Sequence, residues 1–231
     1  VSLIGAVHAQ PFPSRAVRAI VPYAPGGSTD VVMRIIAPHM SQMLGQQVVV
    51  ENRPGGSSTI GLDIAAKAAP DGHTMGIANL TFVANPSLIS RMPFNSERDL
   101  APVSFMSLVT FALAVHPSVP AQNVKDLIAL AKARPGALNY ASAGQVSANH
   151  LATERFSAAT GIKMTHVPYK GGGPAVVALV SGETALLFAT IPSSIQHFKT
   201  GRLRALGVSS LKRNVAMPDL PSIAEQAVPG F

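Results

Sequence analysis

A nine-residue turn constrains this chain more than any other segment: Pro22-Tyr23-Ala24-Pro25-Gly26-Gly27-Ser28-Thr29-Asp30. It joins a strand-like run at 16–21 to an amphipathic helical pattern at 31–44. The two glycines remove side chains where the backbone N–H groups of a helix N-terminus point outward. Such a turn can hold an anion with orphan amides and the positive end of the helix dipole. A plainer role is compatible with this, in which Ser28, Thr29 or Asp30 caps the helix. Asp30 facing a cleft would repel a carboxylate, so it is expected to fold back onto amides at its own helix start. The turn is not a Walker loop, because no Gly-Lys-Ser/Thr follows, and it lacks the Gly-x-Gly-x-x-Gly of dinucleotide sites.

Strand and helix patterns alternate on either side of this turn. The strand at 17–21 leads to a helix whose apolar positions 32, 36, 40 and 43 keep a period near 3.6, ended by Gly45. A valine-rich strand at 47–51, a helix at 60–68 introduced by Pro54-Gly55-Gly56-Ser57-Ser58, and a strand at 74–79 follow. The β-α-β-α-β order predicts a parallel sheet with right-handed crossovers. Residues 80–104 break the rhythm, with Pro86, Pro93 and Pro102. The pattern then restarts with strands at 111–115, 138–141, 163–167, 185–188 and 204–209, and helices at 124–133, 147–159 and 174–181. Two α/β halves are expected, meeting near 100–105.

Composition narrows the function classes. At 47% hydrophobic and 13% charged, the 231-residue chain is globular. Trp is absent and aromatics make up 5%, which excludes a stacking platform for single-stranded nucleic acid. The 18 Lys and Arg that give a net charge of +7 are scattered rather than blocked, so they read as solvated surface and not as a nucleic-acid footprint. Absence of Cys excludes disulfides, thiolate metal sites and cysteine nucleophiles. No His-x-x-x-His spacing suggests a metal, and no cofactor is expected. Val7 and Ala9 before Gln10-Pro11 fit a signal-peptidase site, so 1–9 reads as a signal-peptide remnant of an exported protein.

Two more turns resemble the first. Tyr140-Ala141-Ser142-Ala143-Gly144-Gln145-Val146-Ser147 opens a helix with His150 on its first turn, and Ser147 is placed to cap that helix or to meet a ligand. Tyr169-Lys170-Gly171-Gly172-Gly173-Pro174 reads mainly as a structural turn, although Lys170 could attract an anion. A hydrolase using Ser28 or Ser147 is the competing enzymatic reading. It lacks a base and an orienting acid at recognisable spacing, and Gly-x-Ser-x-Gly is absent, so no catalytic residue is assigned.

Several long motifs occur in order: 21–30, Val50-Glu51-Asn52-Arg53-Pro54-Gly55-Gly56, Ala69-Pro70-Asp71-Gly72, 138–144, His166-Val167-Pro168-Tyr169-Lys170-Gly171, 201–206 and Met217-Pro218-Asp219-Leu220-Pro221-Ser222. From about residue 12 to 231 the chain resembles the Bug-type receptors of tripartite tricarboxylate transporters. That resemblance implies a two-lobed α/β type II periplasmic-binding-protein fold, a Venus flytrap. Residues 10–104 would form the first lobe and 105–225 the second, with 226–231 beginning the return to the first. Carried over by motif, first-lobe ligand contacts would be Tyr23, Ala24, Gly26, Gly27, Ser28 and Thr29, with Asn79 and Thr81 lining the cleft. Second-lobe contacts would be Ser142, Ala143, Gly144, Ser147, His150 and Thr190.

The resemblance further implies a monomeric periplasmic receptor without catalysis or cofactor. It would capture a small carboxylate and hand it to the transporter's membrane subunits; a sensor for a membrane signalling partner is the alternative. Ala189 stands where many relatives carry aspartate, which argues against an amino-acid ligand and for a plain mono- or dicarboxylate. Relatives also continue past a Val-Pro-Gly-Phe segment, so the C-terminal part of the first lobe is expected to be missing.

Overall fold

The computed structural model describes residues 11–231; the expected signal remnant at 1–9 lies outside them. In the first sheet β1 (Val17–Val21) runs between β2 (Val48–Asn52) and β3 (Thr74–Gly76), and both pairings are parallel, as the element order predicts. The central place of β1 accounts for its apolar run, since Ala19, Ile20 and Val21 are buried completely.

Helix α1 (Ser28–Leu44) crosses from β1 to β2 and stops at Gly45, whose φ of 67° is left-handed. Its inward stripe is Met33, Ala37, Met40 and Leu44, which shares Met40 with the expected 32, 36, 40 and 43 and is one residue on at the other three, and Met43 is 87% exposed. Apolar residues at 31–33 and 35–37 make both stripes available; periodicity fixes their spacing but not which one faces β1. Helix α2 (Thr59–Ala66) follows a 3₁₀ turn at Gly56–Ser58. A Cβ on Gly61 would come within 2.8 Å of Pro22 Cα, so this glycine lets α2 lie directly on the end of β1. That approach brings the 55–58 turn beside Tyr23.

Strand β3 is shorter than expected, and a helix, α3 (Leu80–Leu88), occupies residues where the sequence predicts none. Asn79 caps it by accepting the Thr81 N–H at 3.0 Å, while Pro86 near its end disguises it as a break. Residues 89–110 hold no helix or strand and carry the chain to the second sheet.

The second sheet has the order β6-β5-β7-β4-β8, built from β4 (Phe111–Val115), β5 (Asn139–Ser142), β6 (Thr165–Pro168), β7 (Leu186–Thr190) and β8 (Arg204–Val208). β5 is parallel to β6 and β7, but β4 is antiparallel to β7 and β8, so this sheet is mixed. Helices α4 (Val124–Ala133), α5 (Ala148–Thr160) and α6 (Gly172–Val180) connect its strands. Two further helices, α7 (Ile191–Lys199) and α8 (Ile223–Gln226), were not expected. α7 follows β7 without a loop, so no turn signal separates them.

The core of this half centres on Phe156 and Phe188, edge-on at 5.8 Å, with Phe231 at 5.8 Å from each. Leu113, Leu127, Tyr140, Leu206 and Ile223 enclose them. The end of the 226–231 segment therefore lies in the second sheet's core. Phe156→Ala should cost about 3–5 kcal/mol, because a fully buried ring leaves a cavity between two others. Urea unfolding checks this; a loss under about 1 kcal/mol would mean that the three rings do not hold this core together.

Candidate functional site between the two sheets

The two halves touch backbone to backbone. Ala24 N–H, in the β1–α1 turn, donates to the Lys170 carbonyl of the β6–α6 turn at 3.1 Å. Gly26 and Gly27 face Gly172 and Gly173. A Cβ on Gly27 would lie 3.3 Å from Gly172 N, and one on Gly173 would overlap the Pro25 carbonyl oxygen. The glycines of both turns thus make room for each other.

Beside this seam is a cavity of about 40 Å³. Pro22, Tyr23, Gly55, Ser57, Ser58 and Thr81 line it from the first half, and Ala143, Gln145, Ser147 and Lys170 from the second. Its walls offer five hydroxyls and a carboxamide; Lys170 carries the only formal charge among these residues. A wider, more open groove of about 700 Å³ lies along Pro25, Val31, Val176, Val177 and His197; it is mostly apolar, and its lining includes the Glu183 carboxylate, which accepts from the Tyr169 hydroxyl at 2.8 Å.

Tyr23 is fixed from α3. Its phenol donates to Asn79 Oδ1 at 2.6 Å and pairs with Thr81 Oγ1 at 2.9 Å. Burial raises its pKa despite these polar neighbours, so it stays a neutral hydrogen-bonding group. Asp30 turns away from the cavity, as expected. It accepts from Gly26 N–H (3.0 Å), Arg34 Nε (3.0 Å) and Asn52 Nδ2 (2.9 Å). Burial alone would raise its pKa, but Arg34, the Gly26 amide and Asn52 together outweigh it and hold the carboxyl below its ordinary range. The residue at the N-cap itself is Gly27, without a side-chain cap, and not Ser28, Thr29 or Asp30. Asp30 instead reaches back from the first turn.

In the second half Ser147 Oγ lies 2.6 Å from the Gly144 carbonyl and 2.8 Å from Asn149 Oδ1, spending its proton within its own turn. His150 Nδ1 accepts the Val146 N–H at 3.1 Å, and its ring stacks on His166 at 4.1 Å. Ser142 is buried against His166 Nε2 at 2.6 Å. Burial, then the charge of His150, lower the His166 pKa against a weaker pull from Glu154.

Of the residues marked by sequence, Tyr23, Thr81, Ala143 and Ser147 line the cavity, and Asn79 supports Tyr23 from behind. Ala24, Gly26, Gly27, Ser28 and Thr29 build the seam and the start of α1 and do not line it. Ser142, Gly144 and His150 lie in or under the 140–147 turn, outside the lining. Thr190 bonds Ser193 at the start of α7, away from the cavity, and Ala189 is buried inside β7. Gly55, Ser57, Ser58 and Gln145 went unmarked, and Lys170 reads as able to attract an anion but mainly as part of a structural turn. A signal for the first three exists: Pro54-Gly55-Gly56-Ser57 repeats Pro25-Gly26-Gly27-Ser28. Among the described residues no histidine is hydrogen-bonded to Ser147, and no three His, Cys, Asp or Glu are grouped to hold a metal ion.

A family profile described as "Tripartite tricarboxylate transporter family receptor" matches residues 32–231. The chain belongs to this family. Protein BugT of Bordetella pertussis is 39% identical over 97% of this chain and 70% of its own length. A Rhodopseudomonas palustris protein solved with adipate superposes with a TM-score of 0.92 at 36% identity, covering 96% of this chain and 74% of that one. MatC from the same organism, solved with bound malate, gives 0.86 at 30% identity, over 95% and 75%. The fold is therefore that of the Bug-type periplasmic binding proteins. The chain spans 66% and 70% of the lengths of the first two curated relatives.

Two outcomes test this geometry. Gly173→Ala should wedge the seam apart and enlarge the radius of gyration in small-angle scattering; an unchanged profile would show that the halves do not rest on this contact. Asp30→Asn should cost about 2 kcal/mol at pH 7 by weakening charge-assisted hydrogen bonds. Because the folded pKa of Asp30 is depressed, that contribution is present above the ordinary aspartate value of about 3.9 and fades as pH falls below it. Parallel denaturation of the two proteins at pH 7 and pH 3 should show the gap narrowing.

Proposed function

We propose that this protein captures a small carboxylate between its two halves in the periplasm and delivers it to the membrane subunits of a tripartite tricarboxylate-type transporter. The observation that carries the reading is the cavity wall: hydroxyls and a carboxamide from both halves, one ammonium, and no carboxylate. An anion loses its hydration on entering such a site, and only donors can replace it. An amino group would find no acidic partner there. Lys170 is exposed and takes part in no ion pair among the described residues, so its charge is available to draw an acid toward the cleft. The relatives solved with adipate and with malate agree with this class of ligand.

Capture on this reading is a movement without chemistry. A cavity of about 40 Å³ has room for about one water molecule. A dicarboxylate enters only when residues 10–104 and 105–225 part as lobes, with 89–110 as the crossing between them. Contacts from both lobes exist together only when they close again, so binding shifts the population toward the closed form.

A thermal-shift panel of malate, adipate, succinate and citrate, with aspartate and lysine as controls, tests the reading. An acid at 100 times its dissociation constant should add about 2.7 kcal/mol of stability. Flat melting curves for every acid would reject it.

A further inference from the structure

We infer that the first half grips the carboxylate with the Ser58 hydroxyl and the N-terminus of α2, and not with the β1–α1 turn. This rests on the proposed function and names the part of the site that does the holding. Ser58 is 2% exposed and lines the cavity; its hydroxyl lies near the Tyr23 phenol, which is committed to Asn79 and Thr81, and within good hydrogen-bond geometry it has no partner among the described residues. A buried hydroxyl left unpaired is unfavourable, and a ligand acceptor removes that penalty.

The backbone explains why the hydroxyl is unspent. A serine at an N-cap is ordinarily extended, and its side chain accepts an N–H from the first turn. Ser58 occupies the N-cap of α2 in the left-handed conformation, φ 75°, and makes no such bond. Ser57 before it is also left-handed, φ 50°, and its carbonyl accepts Asn85 Nδ2 at 2.7 Å. Two consecutive non-glycine residues in this region are strained and need outside support, which the buried Asn85 supplies.

The two helix starts differ in charge as well. At α1 the Gly26 amide is already taken by Asp30, Ala24 donates to Lys170, and the Asp30 charge offsets the helix dipole. The first turn of α2 has no acidic residue, so its positive end faces the cavity uncompensated. A ligand carboxylate placed there accepts from Ser58 Oγ–H and meets that positive end.

Isothermal titration of the chain with malate, adipate, succinate and citrate decides the matter. Ser58→Ala should weaken the tightest of the four about tenfold, the loss of one hydrogen bond to a charged group. The melting temperature of the ligand-free variant should stay equal or rise, because an unpaired buried hydroxyl has gone. Should Ser58→Ala fail to fold, Ser58→Gly, which suits the left-handed backbone, should show the same weakening. Unchanged affinity in the variants would overturn the inference while leaving the proposed function standing, and so would a lower melting temperature with unchanged affinity. A wild-type chain that binds none of the four acids would overturn both.

Discussion

Two glycine turns meeting with no side chain between them set the geometry on which everything else depends. The Ala24 amide and the Lys170 carbonyl close the seam, and the residues next to them in sequence or in side chain, Tyr23 and Lys170, line the cavity. Closure and cavity shape are therefore one structural variable: parting the turns breaks the hydrogen bond and takes Lys170 off the wall in the same movement. A single backbone hydrogen bond contributes only about 0.5–1.5 kcal/mol net. On the proposed reading, a ligand that bridges both walls adds contacts from each half that are lost when the turns part.

The same economy appears in the electrostatics. Two acidic groups of the first half are held by partners within it: Asp30 by Arg34, Gly26 and Asn52, and Glu51 by Arg18 and Arg53. Hydrogen bonds from Arg18 and then Arg53 hold the Glu51 carboxyl below its ordinary range. Neither acid lines the cavity. What remains on its walls is neutral oxygen and nitrogen, plus the Lys170 ammonium. That combination suits an anion whose exact shape is not dictated by a rigid charged clamp.

The fold was legible where burial writes itself into composition. β1 and β7 are central strands covered on both faces, so their apolar runs stand out, and Gly45 marks the end of α1 unmistakably. Strand direction is not written that way. Ala112 to Val115 are buried in an antiparallel strand, and the same four residues would be as apolar in a parallel one. Helices α3 and α7 were hidden for opposite reasons: Pro86 suggests a break inside the first, and no break at all precedes the second. The phase of α1 was unreadable because Val32, Ile36 and Met43 form a second apolar stripe beside the true one.

The site shows a subtler limit. Glycine reports that something approaches the backbone closely, not what approaches. Pro25-Gly26-Gly27-Ser28 and Pro54-Gly55-Gly56-Ser57 are nearly the same motif, yet the first forms a seam between halves and the second a cavity wall. The difference lies just downstream. Asp30 follows the first pair and returns its carboxylate to its own turn, filling the helix N-terminus from within. Ser58 and Thr59 follow the second; Thr59 bonds the Gly56 carbonyl, and Ser58 keeps its hydroxyl free. Asp30 in the first turn of α1 accepts the Gly26 amide from within, and the first turn of α2 has no acid to do the same. On the inference that Ser58 holds the carboxylate, the residues just downstream of the glycines, and not the glycines themselves, decide which of two like turns meets a ligand.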